Sequence, residues 1–193
     1  MIENFLRRPH GAMDFVAEAL RFVAVLSVVV TAIFFEPSDA GIIAFALPGF
    51  VAPRFLGMRA GMDMVFVATL LIAAWSNIFD LYTSIGWWDL VVHLAGNGVI
   101  AAGLYLLLAR GKVVPDPRGT TFTKGSGIVL TAMMGLALSA LWEMVEWFGR
   151  AFISDQIFIA YDDTIGDMAM GGLGSLAAGF VVAFIPLLRK DAT

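Results

Sequence analysis

Apolar positions in this chain do not alternate with polar ones at the period of a half-buried strand or a one-sided helix; they run almost unbroken over long stretches. A helix that crosses the roughly 30 Å hydrocarbon core of a bilayer needs about 20 mainly apolar residues. Six stretches meet or approach that length: Gly11 to Phe35, Gly41 to Leu56, Gly61 to Leu81, Trp87 to Ala109, Ser126 to Phe148 and Asp163 to Leu188. The second is short and interrupted by Pro48 and Pro53, each of which removes a helical hydrogen bond, so the pattern predicts a broken, kinked or re-entrant segment there. The fold class expected is all-α, a polytopic transmembrane helix bundle of six spans forming a single integral membrane domain over 1–193.

Charge placement orients the bundle. Short cytoplasmic loops are enriched in Lys and Arg. With six spans and both termini cytoplasmic, the inner segments carry Arg7 and Arg8, Arg54 and Arg59, Arg110, Lys112, Arg118 and Lys124, and Arg189 and Lys190. That is ten of the twelve basic residues. Arg150 falls outside, and Arg21, inside the first span, is expected to snorkel to the inner interface. Were the second segment not to cross, the basic loops would fall on alternate sides, so the charges favour six crossings despite the prolines. Residues 1–10 (MIENFLRRPH) are expected along the inner interface, with Ile2, Phe5 and Leu6 dipping into it and the arginines facing anionic lipid. Residues 110–125 read as a basic cytoplasmic loop.

Composition sharpens this picture. Residues of the set AVILMFWYC make up 60% of the 193 and charged ones only 15%, against about 25% in soluble domains, while 16 Phe and 5 Trp exclude a disordered chain. A net charge of −4 argues against nucleic-acid binding, which leaves the lipid bilayer as the partner. With no cysteine there is no disulfide, thiolate ligand or cysteine nucleophile.

Ionisable groups inside spans cost roughly 2.5 to 3.5 kcal/mol each at a helix centre and so mark function. The fourth span carries Asp89, His93 and Asn97 in steps of four; the fifth carries Glu143, Glu146 and Arg150; the sixth begins with Asp162, Asp163 and Asp167. In the topology above these groups, apart from Asp162 at the interface, lie about one to two turns below the outer surface. Five carboxylates (Asp89, Glu143, Glu146, Asp163, Asp167) then face one in-span cation, Arg150, and require a divalent cation, shared protons or a water-filled vestibule. Oxygen ligands with one imidazole suit Zn, Mn, Mg or Fe, and D-x3-H and E-x2-E each present two ligands on one helical face. The candidate metal ligands are Asp89, His93, Glu143, Glu146, Asp163 and Asp167, with Asn97 a further polar group. Glu143 and Glu146 are the candidate catalytic bases and Arg150 an anion clamp. Plainer roles are expected elsewhere: Asp80 and Asp162 solvated or capping, Asp163 an N-cap as well, Asp14 and Asp63 ordinary interface residues, and the tryptophans an aromatic belt. Small residues in steps of four (Gly127, Thr131, Gly135, Ser139; Gly171, Ser175, Gly179) predict close packing of the fifth and sixth helices.

The segments WWDLVVHLAGNG, ALWEMVEW and DDTIGDMAMGGLG, spelling W-D-x3-H, E-x2-E-W and D-T-x2-D, resemble the YjdF-type family of small bacterial inner-membrane proteins and, more distantly, the VanZ-like family. The resemblance covers about residues 63 to 180. It implies a bacterial cytoplasmic membrane location and a single site formed by Asp89, His93, Glu143, Glu146, Asp163 and Asp167. It also implies an Asn four residues past the second Asp, where this chain has Gly171. The VanZ-like branch is associated with glycopeptide resistance, and neither family supplies a substrate. Three functions compete. The first is a metal-dependent hydrolase or transferase acting on a lipid or envelope precursor at the outer leaflet. The second is a non-catalytic subunit or scaffold, in a homo-oligomer or larger membrane complex. The third is cation or proton translocation, against which the inner halves of the last three spans offer no titratable relay.

Overall fold

The computed structural model describes residues 1–154, 157 and 159–192. The described residues form eight helices: α1 (Ile2–Leu6), α2 (Ala12–Phe34), α3 (Pro37–Leu56), α4 (Ala60–Ile78), α5 (Leu81–Ser84), α6 (Trp88–Arg110), α7 (Lys124–Phe152) and α8 (Tyr161–Phe184). Among them there is no strand beyond one antiparallel bridge between Met58 and Leu188. Six of the helices (α2, α3, α4, α6, α7 and α8) are long and apolar enough to cross a membrane, as the pattern predicts. Such helices put the chain in contact with the lipid bilayer.

The chain forms two compact units, Met1–Gly86 with Pro186–Thr193, and Trp87–Ile185. In the first, α2, α3 and α4 pack around Ala24, Ile43, Phe50, Val67 and Ala74. Here α3 departs from expectation: it is one continuous helix, not a broken segment, and it starts earlier, with Pro37 in its first turn, where a missing N–H costs nothing. Its Pro48 and Pro53 are tolerated because packing of Ile43 and Phe50 into the core holds the helix that local propensity would break.

The charged groups of this unit also correct the expectation. Arg21 does not snorkel. It is only 6% exposed; its Nη2 donates to Asp63 Oδ1 at 2.5 Å, its Nη1 to Glu18 Oε2 at 2.8 Å and its Nε to the Phe50 carbonyl at 3.1 Å. Arg54 pairs with Glu18 at 3.0 Å and donates to the carbonyls of Phe5 and Arg7. Asp63 and Asp14 are therefore buried ion-pair partners and not ordinary interface residues, Asp14 holding Arg7, Arg189 and the backbone N–H of His10. The N-terminal segment docks on α3: Phe5 stacks on Phe55 with centroids 4.3 Å apart, and Asn4 donates to the Phe55 carbonyl, while Ile2 and Leu6 are exposed.

In the second unit, α6, α7 and α8 pack against one another. The small-residue ladders meet as predicted: a Cβ on Gly171 would lie 2.9 Å from Ser139 Cβ, and one on Gly179 2.7 Å from the Ile128 carbonyl oxygen. The α6–α8 contact is just as close and was not anticipated, a Cβ on Gly98 coming 3.0 Å from the Gly174 carbonyl oxygen. Helix α7 starts with a reciprocal Thr123–Ser126 capping box and runs four residues past its expected end. Helix α8 ends four residues before its expected end, because Pro186 cannot continue it; the tail instead joins the first unit, where Arg59 N–H donates to the Leu187 carbonyl. The 110–125 loop is pinned by the Tyr105 hydroxyl on the Pro115 carbonyl, 2.8 Å.

Candidate functional site

The polar groups predicted to converge do so around His93, within the second unit. Asp89 and His93 are the second and sixth residues of α6, one turn apart on one face, which brings Asp89 Oδ1 to 3.4 Å from His93 Nε2. Asp167, two turns into α8, places Oδ2 4.0 Å from the same nitrogen. Glu143 of α7 places Oε1 4.0 Å from the other ring nitrogen, Nδ1. His93 is 7% exposed and Asp167 2%, so both belong to the helix interfaces.

Two ligand groups follow from this arrangement. Asp89, His93 and Asp167 form one; His93, Glu143 and Glu146 form the other; in each, one ligand atom per residue lies within 4.8 Å of the others. Three buried atoms of the cluster have no hydrogen-bond partner among the described residues: His93 Nδ1, Glu143 Oε1 and Asp167 Oδ1. Supporting contacts come from residues that the sequence pattern does not assign to the site. Trp142 Nε1 donates to Glu146 Oε1 at 2.8 Å, and the Thr164 side chain hydrogen-bonds Glu143. Ser139 Oγ lies 3.5 Å from the Asp167 carbonyl oxygen. The Trp142–Glu146 spacing of four was a readable signal; the Thr164 contact, between two helices, was not.

The remaining predicted residues stand at the margin. Asp163 is not the N-cap of α8, a place taken by Ala160. It is the third residue of the first turn, half-buried, where a carboxylate faces the positive helix end and the charges of Asp89 and His93 reach it. Asp80 has left-handed backbone (φ 53°) at the start of α5 and caps nothing with its side chain. Asn97 is buried one turn below His93. Its Nδ2 fills the space beside Gly171, where a Cβ would come within 2.8 Å of it, so the asparagine implied at position 171 has no room here. Arg150 donates to the Ile157 carbonyl. Beside it, Trp147, Arg150, Ala151 and Ile159 line an open cavity of about 330 Å³.

No curated protein and no solved structure gives a significant match. A family match, in contrast, takes in α2 and α3 as well as the motif-bearing region. Residues 13–187 match the family described as Predicted membrane protein (DUF2238), and the chain belongs to that family.

Proposed function

We propose that the second unit binds a divalent metal ion at His93 and its surrounding carboxylates, and that the site serves a hydrolase or transferase acting on a lipid or envelope precursor at the outer face of a bacterial cytoplasmic membrane. The observation that carries this reading is the set of three unpartnered buried atoms around one imidazole ring, His93 Nδ1, Glu143 Oε1 and Asp167 Oδ1. A buried polar atom without a partner costs about 1–3 kcal/mol, and more when charged. Cation binding at the cluster satisfies acceptors that the described residues leave without a donor. The donor set of carboxylate oxygens and one imidazole, with no thiolate, suits Zn, Mn, Mg or Fe. The resemblance to YjdF-type and VanZ-like proteins supports grouping the same residues, Asp163 included, into one site.

When bound, such an ion polarises a phosphoryl or carbonyl oxygen or makes water nucleophilic at neutral pH. The chain's own groups do the rest. Glu146 is oriented by Trp142 through one oxygen, which leaves the other to accept a proton from a nucleophile. Arg150 follows one turn later on the same helix, and the cavity it shares with Trp147 and Ile159 joins a cation to apolar walls, the combination that an anionic lipid headgroup and its acyl attachment require. The outer-face assignment rests on the ten basic residues in the inner segments.

Gently purified protein analysed by elemental mass spectrometry should carry stoichiometric divalent metal, reduced in Asp167→Asn and Glu146→Gln. Metal-loaded protein incubated with phosphatidylglycerol vesicles should release or transfer headgroup material, and Glu146→Gln should slow this at least 100-fold. Absence of metal from the wild type removes the whole reading; equal headgroup turnover by wild type and Glu146→Gln removes its catalytic half.

A further inference from the structure

His93 does not face one carboxylate cluster but two, one on each ring nitrogen. Nε2 looks towards Asp89 and Asp167, and Nδ1 towards Glu143, beyond which Glu146 completes the second group. The unpartnered atoms fall on residues of both groups: Asp167 Oδ1 in the first, His93 Nδ1 and Glu143 Oε1 in the second. One ion cannot serve both sides, because an imidazole directs its two nitrogen lone pairs away from each other.

We infer that the site is binuclear, with His93 bridging two divalent ions, one held by Asp89, His93 and Asp167 and the other by His93, Glu143 and Glu146. This inference rests on the metal-binding reading above. Ligand spacing supports it: two ligands at about 2.1 Å from one tetrahedral ion stand about 3.4 Å apart. The Asp89–His93 separation is 3.4 Å, and the two 4.0 Å separations reach that spacing by a closure of about 0.6 Å on binding. Each ion receives three protein ligands and keeps an open position, the arrangement of catalytic rather than structural metal sites. Charge leads to the same count. Four carboxylates and a ring deprotonated on both nitrogens carry five negative charges, of which two divalent ions cancel four and one only two. Binding of both ions removes the remaining ring N–H proton to solvent, so that the bridge is an imidazolate. The ions would stand roughly 6 Å apart, from two metal–nitrogen bonds of about 2.1 Å and the width of the ring.

The test uses the full chain in detergent micelles, stripped with chelator and reloaded with Co²⁺ for stoichiometry or Cu²⁺ for electron paramagnetic resonance. Wild type should take up two ions per chain, and Asp167→Asn and Glu146→Gln one each. In the Cu²⁺ form, exchange through the ring should drop the wild-type signal well below two spins per chain, whereas each one-ion variant shows its full single spin. The wild-type resonance needs no variant, so a substitution that fails to fold does not leave the question open. One ion per chain, lost in both variants, overturns the binuclear site while the metal reading stands. Two ions with an undiminished signal overturn the bridge, and two ions retained in both variants overturn the ligand assignment. No ion at all overturns both readings.

Discussion

The sharpest structural prediction concerns Gly174. A Cβ built there lands 2.7 Å from the Leu94 carbonyl carbon and closer still to its oxygen, so Gly174→Ala strikes backbone, which cannot rotate away as a side chain would. Carbon–carbon contacts settle near 3.5–4.0 Å. The helices α6 and α8 must therefore part by about 1 Å. Alanine regains up to about 1 kcal/mol of helix propensity over glycine, whereas overpacking costs about 1–3 kcal/mol, and a backbone clash belongs at the upper end. A net loss of about 1–2 kcal/mol is expected. The site should feel it too, because Leu94 adjoins His93 and Gly174 lies two turns beyond Asp167 on α8. Moving Nε2 away from Asp167 Oδ2, now 4.0 Å, by about 1 Å carries the pair well beyond the roughly 3.4 Å that two ligands of one tetrahedral ion span.

The assay pairs thermal unfolding in detergent with a Co²⁺ titration, using Gly96→Ala as the control. A methyl group on Gly96 would meet nothing within 4 Å, so that variant should be neutral or slightly stabilised and bind metal normally. Gly174→Ala should unfold at lower temperature and bind at least 10-fold more weakly. A Gly174→Ala protein with wild-type unfolding, or a Gly96→Ala protein equally damaged, refutes the idea that backbone contact between α6 and α8 sets the site's geometry.

Further expectations are simpler. Asp63→Ala leaves the Arg21 guanidinium buried without its 2.5 Å partner and should cost about 3–5 kcal/mol, much of it recovered by adding Arg21→Met; a double variant worse than the single one would refute the pairing. Chelation should lower the thermal midpoint of metal-loaded protein, since ligand at 100 times its Kd adds about 2.7 kcal/mol for each site, and Asp167→Asn should lose part of that increment. Asp116 lies outside the spans, where burial pushes its carboxyl up but the hydrogen bonds and charge of Arg118 outweigh this and hold it below the ordinary value. A depressed folded value means the contact stabilises the loop above about pH 4 and is lost as pH falls through the folded value, so proteolysis of residues 111–123 should rise in acid, and Asp116→Asn should abolish that pH dependence. Because the chain has no cysteine, Thr120→Cys and Thr83→Cys report topology directly: impermeant maleimide on intact cells should label position 83 and not 120, and the reverse pattern would invert the orientation.

Much of this was legible in the sequence because a bilayer makes single residues informative. Long apolar runs disclosed all six spanning helices, and the cost of an in-span charge singled out Asp89, His93, Glu143, Glu146 and Asp167 before any geometry was known. What escaped were relations between helices. Arg21 looked like a snorkelling residue because its partner Asp63 lies 42 positions away on another helix, and nothing local couples the two. The α3 prolines looked disruptive because propensity counts a missing hydrogen bond and not the burial of Ile43 and Phe50. The Gly98–Gly174 contact escaped because these glycines lie outside the two ladders read from the sequence, although Gly98–Ala102 and Gly174–Ala178 are themselves small pairs four apart.

The two polar clusters of this protein face the same physical problem and answer it differently, and that contrast carries more weight than either alone. In the first unit, the half-buried Glu18 and the buried Asp63 are met by Arg21 and Arg54, and Asp14 by Arg7 and Arg189, so that each of these carboxylates has a guanidinium within ion-pair distance. Such pairing, once lost, leaves an uncompensated charge, and it is what a purely structural role demands. The second unit applies no such rule. Asp89, Glu143 and Asp167 converge on a single imidazole, and acceptor atoms on both of its sides are buried without a donor among the described residues. A chain that neutralises one buried cluster with arginines, residue by residue, has the means to do the same at the other. Leaving four carboxylates to share one histidine is the arrangement expected of a site completed by cations from outside the chain.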